Sequence, residues 1–263
     1  MNIVVCVKPA PDPKRWDSIQ LDPVTKALRR EGIPGVLGPL DKRALEEGLR
    51  IKEEHGGKVV TMAMAPPAAR DNLVEALAMG ADEAYLLSDR AFAGSDTWAT
   101  SLVLSRGVQK LGGFDLVICG EWSLDGSTGQ VGAQLAEFLG IPNVGRVVAV
   151  ESIEGENLRT RSLVELGNRI LETSLPALIT VTREINTPRF TSLLGVMEAE
   201  DKPCVIWSAA DLGVRPEEVG FKGSPTQTGD VFIPEMKRKT EMLRGEPEEM
   251  VKEVLRKIRQ AIG

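Results

Sequence analysis

Residues 114–140 read FDLVICGEWSLDGSTGQVGAQLAEFLG, an apolar run, a loop of small residues and an amphipathic run in immediate succession. The apolar run Phe114–Cys119 predicts a buried strand. The run Thr128–Leu139 predicts a helix, and Gly140 suits the left-handed cap that ends one. A strand that leads through a short loop into a helix is typical of α/β proteins with a parallel sheet.

The same alternation of short β-branched runs and helical runs fills the first half of the chain. The predicted strands are Asn2–Val7, Lys58–Ala65, Glu83–Leu87 and Phe114–Cys119, and the predicted helices between them include Pro39–Glu54 and Ala68–Met79. We therefore expect an α/β fold with a mostly parallel, doubly wound sheet and right-handed crossovers. Ligands of such sheets sit beyond the carboxyl ends of the strands, so the loops there are where a site is expected.

From about Asn143 the pattern changes to strands joined by short turns, which predicts an antiparallel extension. Its predicted strands are Val144–Ile153, Asn157–Val164 and Arg169–Thr173, with further strands at Pro176–Thr182 and Cys204–Ser208. A stretch rich in Pro, Gly and Thr follows Gly213, and a charged amphipathic helix is predicted at Pro247–Ile262. We predict an α/β nucleotide-binding domain over residues 1–213 and an arm over residues 214–263 that packs on a partner. A loop and terminal helix lying on their own domain is the alternative.

Composition excludes several classes of function. The chain of 263 residues carries 32 Lys+Arg against 38 Asp+Glu, a net charge of −6, which disfavours nucleic-acid binding. Cys6, Cys119 and Cys204 lie in apolar runs without metal-ligand spacing, so we predict free thiols, a reducing compartment and no metal site. No apolar stretch is long enough for a membrane span, and we predict a cytoplasmic protein without membrane insertion.

The loop Gly120–Gly132 carries the strongest local signal for function. Free N–H groups at the start of the following helix, together with the helix dipole, favour a phosphate there. The alternative is a capping box, because Ser127 and Gln130 have the S-x-x-Q spacing that satisfies the same N–H groups. Three of its glycines, Gly126, Gly129 and Gly132, together with Asp125, exceed what a cap needs and favour the phosphate. The loop contains no lysine, so we expect it to bind phosphate without transferring it.

Two other turns are compatible with either a helix start or a ligand contact, namely Gly38-Pro39-Leu40-Asp41 and Ser95-Asp96-Thr97. The one histidine, His55, falls at a predicted helix end, where a cation interacts well with the dipole. Because no acid–base set can be assembled, we predict no catalytic residue and assign the chemistry to a cofactor.

These residues together resemble the beta subunit of electron-transfer flavoproteins over nearly the full length. The matching motifs, in order, are Val4-Val5-Cys6-Val7-Lys8-Pro9, Gly38-Pro39-Leu40-Asp41 with Ala44 and Glu46-Glu47, Ala76-Leu77-Ala78-Met79-Gly80-Ala81-Asp82, Asp125 to Val131, Pro188-Arg189-Phe190-Thr191-Ser192-Leu193, Ala209-Ala210-Asp211-Leu212-Gly213 and Gly223-Ser224-Pro225-Thr226. Each motif is weak alone, whereas their order and spacing are specific.

The resemblance implies an adenine nucleotide alpha-hydrolase-like fold and an alpha-subunit partner that carries the redox FAD. In that family the beta subunit binds AMP or, in the electron-bifurcating branch, a second FAD. The short loop Leu124–Val131 and the segment Ser88–Thr97 look more like the bifurcating branch, so the resemblance favours FAD, with AMP as the alternative at the same site. It also implies a flavin-containing dehydrogenase partner, such as an acyl-CoA dehydrogenase, and NADH as a candidate donor.

The candidate cofactor-binding residues, from the turns and the resemblance together, are Cys6, Gly38, Pro39, Leu40, Asp41, Met64, Asp96, Thr97, Gly120, Asp125, Gly126, Ser127, Thr128, Gly129, Gln130 and Val131. By the same resemblance Leu193 lies on an exposed loop that recognises the dehydrogenase. This chain departs from the family in two places: Gly38 replaces an asparagine, and Met197–Lys202 replaces a lysine-rich stretch. The competing functions are an enzyme that activates a substrate with ATP and a redox-silent nucleotide sensor.

Overall fold

The computed structural model of the protein describes residues 1–18, 20–21, 28–29, 35–227, 229 and 240–262. The first unit is built on a nine-stranded sheet with the order β11-β10-β9-β12-β8-β1-β6-β7-β13. Its strands are β1 (Asn2–Cys6), β6 (Lys58–Met64), β7 (Glu83–Leu87), β8 (Leu116–Gly120), β9 (Asn143–Glu154), β10 (Asn157–Val164), β11 (Gly167–Ser174), β12 (Ala177–Val181) and β13 (Cys204–Trp207). Four short strands form two small pairs outside this sheet, β2 (Pro9–Pro11) with β5 (Gly35–Leu37) and β3 (Gln20–Leu21) with β4 (Leu28–Arg29).

The helices are α1 (Pro39–His55), α2 (Arg70–Met79), α3 (Thr97–Leu111), α4 (Val131–Leu139), α5 (Leu193–Ala199), α6 (Ala209–Leu212), α7 (Gly220–Gly223) and α8 (Pro247–Ile262). The seven strands β9-β12-β8-β1-β6-β7-β13 are neighbours in this order and pair in parallel. Strand β10 pairs antiparallel with both β9 and β11. The predicted α/β fold with a mostly parallel sheet and an antiparallel extension is therefore confirmed.

Strand β1 shows why the sequence folds in this way. Ile3 and Val5 point into one core cluster, which α1 and α2 cover, whereas Val4 and Cys6 point into a second cluster beneath α3 and α4. Both faces of the strand are buried, so its sequence is continuously apolar instead of alternating. Helices on both faces are what a doubly wound sheet requires.

The chain divides into two compact units, Met1–Thr228 and Gly229–Gly263. The boundary predicted at residue 213 falls inside the first unit, which continues through α7. The second unit contains α8, whose bounds agree with the predicted helix. Residues 230–239 of the predicted arm lie outside the described residues, and packing of the arm on an alpha subunit stays a prediction.

Helices α1 and α2 differ from their predicted bounds by one or two residues, and two other segments differ more. Helix α4 begins at Val131 instead of Thr128, because Ser127 and Gly129 adopt positive φ angles of 50° and 65° that no helix allows. The segment that carries Leu193 is a helix, α5, and not the loop that the resemblance implied. Among the described residues no helix is both long and apolar enough to cross a membrane.

Candidate functional site

The candidate site lies at the carboxyl ends of β1 and β8, two adjacent strands in the middle of the sheet. The chain leaves β1 towards β6 on one side and later enters β8 on the other side, which makes this point a topological switch. Such a switch opens a crevice between adjacent loops, and doubly wound proteins bind ligands there. The loop 121–130 and the start of α1 both border this crevice, since Gly38 lies beside Leu124.

Hydrogen bonds within the loop before α4 hold Ser127 against the start of the loop. The Ser127 hydroxyl donates to the Ser123 carbonyl over 3.0 Å, and the Ser127 amide donates to the same oxygen over 3.2 Å. Gln130 is the N-cap residue of α4, and its side chain makes no capping hydrogen bond. The capping box that Ser127 and Gln130 could have formed is therefore not made, and the N-cap side chain leaves the first amides of α4 to other acceptors.

A glycine brings α1 against the end of β8. A Cβ atom on Gly120 would lie 2.9 Å from the Cβ atom of Leu40, which is closer than real side chains approach. Gly120 therefore permits close packing of the first turn of α1 on the sheet, and Leu40 itself is buried. These two predicted site residues shape the crevice from beneath.

The loop receives a lysine from a different strand. Lys8, two residues beyond β1, places its Nζ 2.6 Å from the Asp125 Oδ1 atom, and the Lys8 side chain is 45% exposed. Burial raises the pKa of Asp125, but the hydrogen bond and charge of Lys8 outweigh it and hold that pKa below its usual range. The loop itself contains no lysine, but Lys8 supplies an ammonium group beside it. The sequence feature that could have predicted this contact is the position of Lys8 just after the first strand, at the same edge of the sheet as the loop.

Asp41 is a buried carboxyl group at the start of α1. It is 5% exposed and accepts a hydrogen bond of 3.3 Å from the Gly38 amide. Burial raises the pKa of Asp41 to about 7, while the amides of Lys8 and Gly38 and the Lys8 charge partly oppose this. The Asp125 charge adds to the rise. The carboxyl group thus sits beneath the Lys8–Asp125 ion pair and holds the turn before α1 together.

Cys6 belongs to the core below the crevice. It is 7% exposed and pairs in register with Cys119 on β8, which is 6% exposed. A hydrogen bond with Cys6, together with burial, raises the pKa of the Cys119 thiol. The Cys119 thiol therefore stays protonated at neutral pH, and both side chains pack at the end of the sheet. Met64, at the end of β6, is half-buried against the same core cluster.

Asp96 and Thr97 lie at the start of α3. The Asp96 carboxylate caps the Ala99 amide over 3.0 Å and also accepts from the amide and hydroxyl of Thr226, over 2.9 and 2.6 Å. Burial raises the pKa of Asp96, but these hydrogen bonds outweigh it and hold the pKa low. Asp96 therefore links the start of α3 to the segment that contains Thr226. Thr97 reaches the loop, since its hydroxyl lies 3.3 Å from the Gln130 Oε1 atom.

A second feature lies away from the crevice, on and before α5. We call Phe190, Leu193, Leu194 and Met197 the apolar α5 surface, because their exposed fractions run from 63% to 98%. Ser192 begins the helix, and its hydroxyl accepts from the Gly195 amide over 2.9 Å. Exposed apolar residues that cluster in this way are typical of interaction surfaces. Among the described residues no group of His, Cys, Asp and Glu has the arrangement of a metal site.

The fold and the crevice define a doubly wound α/β protein with a loop of small residues at its switch point. Residues 25–212 match the electron transfer flavoprotein domain. The chain is 46% identical to the electron transfer flavoprotein subunit beta of Thermoanaerobacterium thermosaccharolyticum, over 98% of both chains. It is 45% identical to the caffeyl-CoA reductase-Etf complex subunit CarD of Acetobacterium woodii, over 93% of this chain and 92% of that one. It is 39% identical to the protein FixA of Azorhizobium caulinodans, over 89% and 85%.

The chain belongs to the electron transfer flavoprotein family, and within it to the beta subunits. The resemblance drawn from its motifs is confirmed. Electron transfer is therefore the process in which the chain takes part, while its cofactor, donor and acceptor are matters for proposal.

Proposed function

We propose that the chain is the beta subunit of a heterodimeric electron-transfer flavoprotein whose crevice holds FAD, with AMP as the alternative occupant. Electrons pass through bound flavin from a donor, for which NADH is the candidate, to a flavin-containing dehydrogenase. The bifurcating form is proposed because the loop Leu124–Val131 has the short form of that branch. The relative from Acetobacterium woodii is named as part of a caffeyl-CoA reductase complex, which favours a partner of the acyl-CoA dehydrogenase class for this chain.

The observation that carries the proposal is the uncapped start of α4. The side chain of Gln130, the N-cap residue, does not cap the first amides of α4, and the Lys8 ammonium lies beside the loop. A dipole end, free amides and a nearby cation are together what a diphosphate or phosphate needs. The site has room for it, because a Cβ atom on Gly129 would meet only the Glu121 carbonyl, at 3.5 Å.

The residues around the loop position the ligand and take no part in proton transfer. Gly38 and Pro39 border the crevice, where they would contact the adenosine part, and Asp41 braces that turn from below. Thr97 and Gln130 hold the loop against α3. The bound flavin supplies the redox chemistry, and the protein supplies orientation and electrostatics. The apolar α5 surface is proposed to receive the dehydrogenase, with Leu193 as its anchor.

Gly129→Glu tests the location of the cofactor. The variant should lose its nucleotide, because the side chain fills the cradle and its charge repels the phosphate. Gly140→Glu is the matched control: Gly140 also has a positive φ, 68°, lies at the other end of α4 and has open space around it. Both substitutions add the same charge and similar backbone strain. The measurement is the flavin and AMP content of the purified heterodimer.

Each outcome separates two forms of the proposal. Two flavins in the wild type and one in Gly129→Glu support FAD in this chain. One flavin with AMP in the wild type, and loss of AMP in the variant, supports the AMP form. If Gly129→Glu retains as much nucleotide as Gly140→Glu, the loop is not the binding site. Ser127→Ala adds a finer test, since its lost hydrogen bond to Ser123 should lower nucleotide occupancy.

A further inference from the structure

Two buried carboxylates in the middle of α1 have no role in the crevice. Glu46 and Glu47 are each 6% exposed, although a carboxylate is rarely buried without a partner. Their partners lie far along the chain, in the segment that leads to α5. Arg189 pairs with Glu46 and Asn186 pairs with Glu47.

Arg189 grips Glu46 through both edges of the carboxylate. Its Nε lies 2.8 Å from Oε2, its Nη2 lies 3.1 Å from Oε1, and its backbone amide donates to Oε2 over 3.1 Å. Its Nη1 reaches Glu53, two turns further along α1, over 2.5 Å. The pKa of Arg189 is raised by these two carboxylates, mainly by Glu46. A planar guanidinium group that donates to several carboxylate oxygens fixes the direction of the chain as well as its position.

Asn186 makes the second contact with α1. Its Nδ2 donates to the Glu47 Oε2 atom over 2.9 Å and to the Arg43 carbonyl over 3.0 Å. Burial raises the pKa of Glu47, and the hydrogen bond from Asn186 lowers it in part. The segment 186–189 is therefore tied to two successive acidic residues of α1.

The far end of the segment is tied to α2. A Cβ atom on Gly195 would lie 2.4 Å from the Ala78 carbonyl oxygen, so α5 packs directly on the last turn of α2. Lys202 donates to the carbonyls of Leu77 and Ala81 over 3.0 and 2.9 Å. The apolar α5 surface is thus held between an anchor on α1 and an anchor on α2.

We propose that Arg189 is a positioning residue that holds the apolar α5 surface in its docking geometry through the carboxylates of α1. A helix of seven residues whose one buried residue is Ala199 has little stability of its own. Phe190 follows Arg189 directly and is 98% exposed, so its position depends on the hydrogen bonds that Arg189 makes with Glu46. The docking role of this surface rests on the proposed function, whereas the positioning role of Arg189 does not.

The test uses the heterodimer carrying Arg189→Lys, with hydrogen exchange measured by mass spectrometry. A lysine cannot hold both oxygens of Glu46 and reach Glu53, so amides of residues 190–199 should exchange about tenfold faster or more. The matched control is Arg183→Lys, since Arg183 is 82% exposed and its ion pair is with the adjacent Glu184. Exchange in β1 and α4 should be the same in both variants.

Electron delivery supplies a measurement that a purely structural role would not change. Reduction of a small acceptor dye should keep its wild-type rate in Arg189→Lys, and the nucleotide content should be unchanged. The half-saturating concentration of an acyl-CoA dehydrogenase should rise with kcat unchanged, and Leu193→Ala combined with Arg189→Lys should give less than the product of the two effects. If the wild type reduces no such dehydrogenase, the proposed partner is wrong, and the exchange experiment still decides the role of Arg189.

Two results would overturn the proposal. One is exchange at residues 190–199 that matches the Arg183→Lys control. The other is faster exchange spread evenly through the sheet, because Arg189 would then stabilise the whole unit instead of the surface. If Arg189→Lys does not fold, Glu53→Gln takes its place: Glu53 is 60% exposed, and its loss leaves Glu46 paired. A local increase at residues 190–199 again supports the proposal, and its absence overturns it.

Discussion

Asp41→Asn should remove most of the pH dependence of stability that the crevice imposes on the protein. Asp41 is almost completely buried, and its carboxyl group accepts the Gly38 amide. Asparagine has nearly the same shape and keeps one acceptor for that amide. The substitution therefore removes the titration of the group while leaving the turn before α1 in place.

The size of the effect follows from the pKa. Burial raises the pKa of Asp41 from 3.8 to about 7. Below the lower value the folded and unfolded chains both hold the proton, and the full stability is present. As pH rises towards about 7 the unfolded chain releases its proton first, so the free energy of unfolding falls by about 4 kcal/mol in total. About 3 kcal/mol of this falls between pH 5 and pH 8.

Urea unfolding of the heterodimer at fixed protein concentration, from about pH 5 to pH 8, measures the effect. The stability of Asp41→Asn relative to wild type should increase across this range. Taking the difference removes every titration that the two proteins share. Asp211→Asn is the control, because hydrogen bonds from Ser208 lower the pKa of Asp211, its carboxylate stays ionised throughout the range, and it is not among the groups that shift the pKa of Asp41. A difference between Asp41→Asn and wild type that is equal at both ends would refute the reasoning.

One further substitution and one truncation test the surfaces of the chain. Leu193→Ala should weaken docking of the dehydrogenase by about 2 kcal/mol, because an apolar anchor is lost, while flavin content stays constant. Transfer kinetics equal to wild type would remove Leu193 as the anchor. A chain ending before Pro247 should lose stoichiometric co-purification with the alpha subunit, because α8 carries an exposed apolar stripe that includes Val251, Leu255 and Ile258. Undiminished pairing of the truncated chain would contradict this.

The central strands were predictable because they are short, continuous apolar runs, and the long helices were predictable because their apolar residues recur at the helical period. Strand Glu83–Leu87 and helix Pro247–Ile262 have the bounds that their patterns predict. Helix α5 was not predictable in this way, since its apolar residues face outward and carry no core-facing stripe. The start of α4 was misplaced because its position depends on the positive φ of Ser127 and Gly129, and only the glycine advertises such a conformation.

The crevice was predictable in place but not in its partners. The loop 120–132 could be recognised as a candidate site because it consists of small residues between a strand and a helix. Lys8 meets Asp125 across 117 residues of chain, and Arg189 meets Glu46 across 143. No local period encodes such a pairing, because it depends on the order of the strands and on which faces α1 presents. Glu46 and Glu47 are adjacent in the sequence, and no local pattern indicates that both carboxylates are buried.

Those carboxylates indicate what α1 contributes beyond stability. A buried ion pair is weak evidence for stabilisation, since apolar residues of similar size often do as well or better in the same place. Apolar side chains at positions 46 and 47 could pack there, but they would not fix the direction of the segment that follows Asn186. The first turn of α1 meets β8 at Gly120 and borders the loop, and its middle holds Arg189. One helix therefore connects the proposed cofactor site with the proposed docking surface and sets the distance between them.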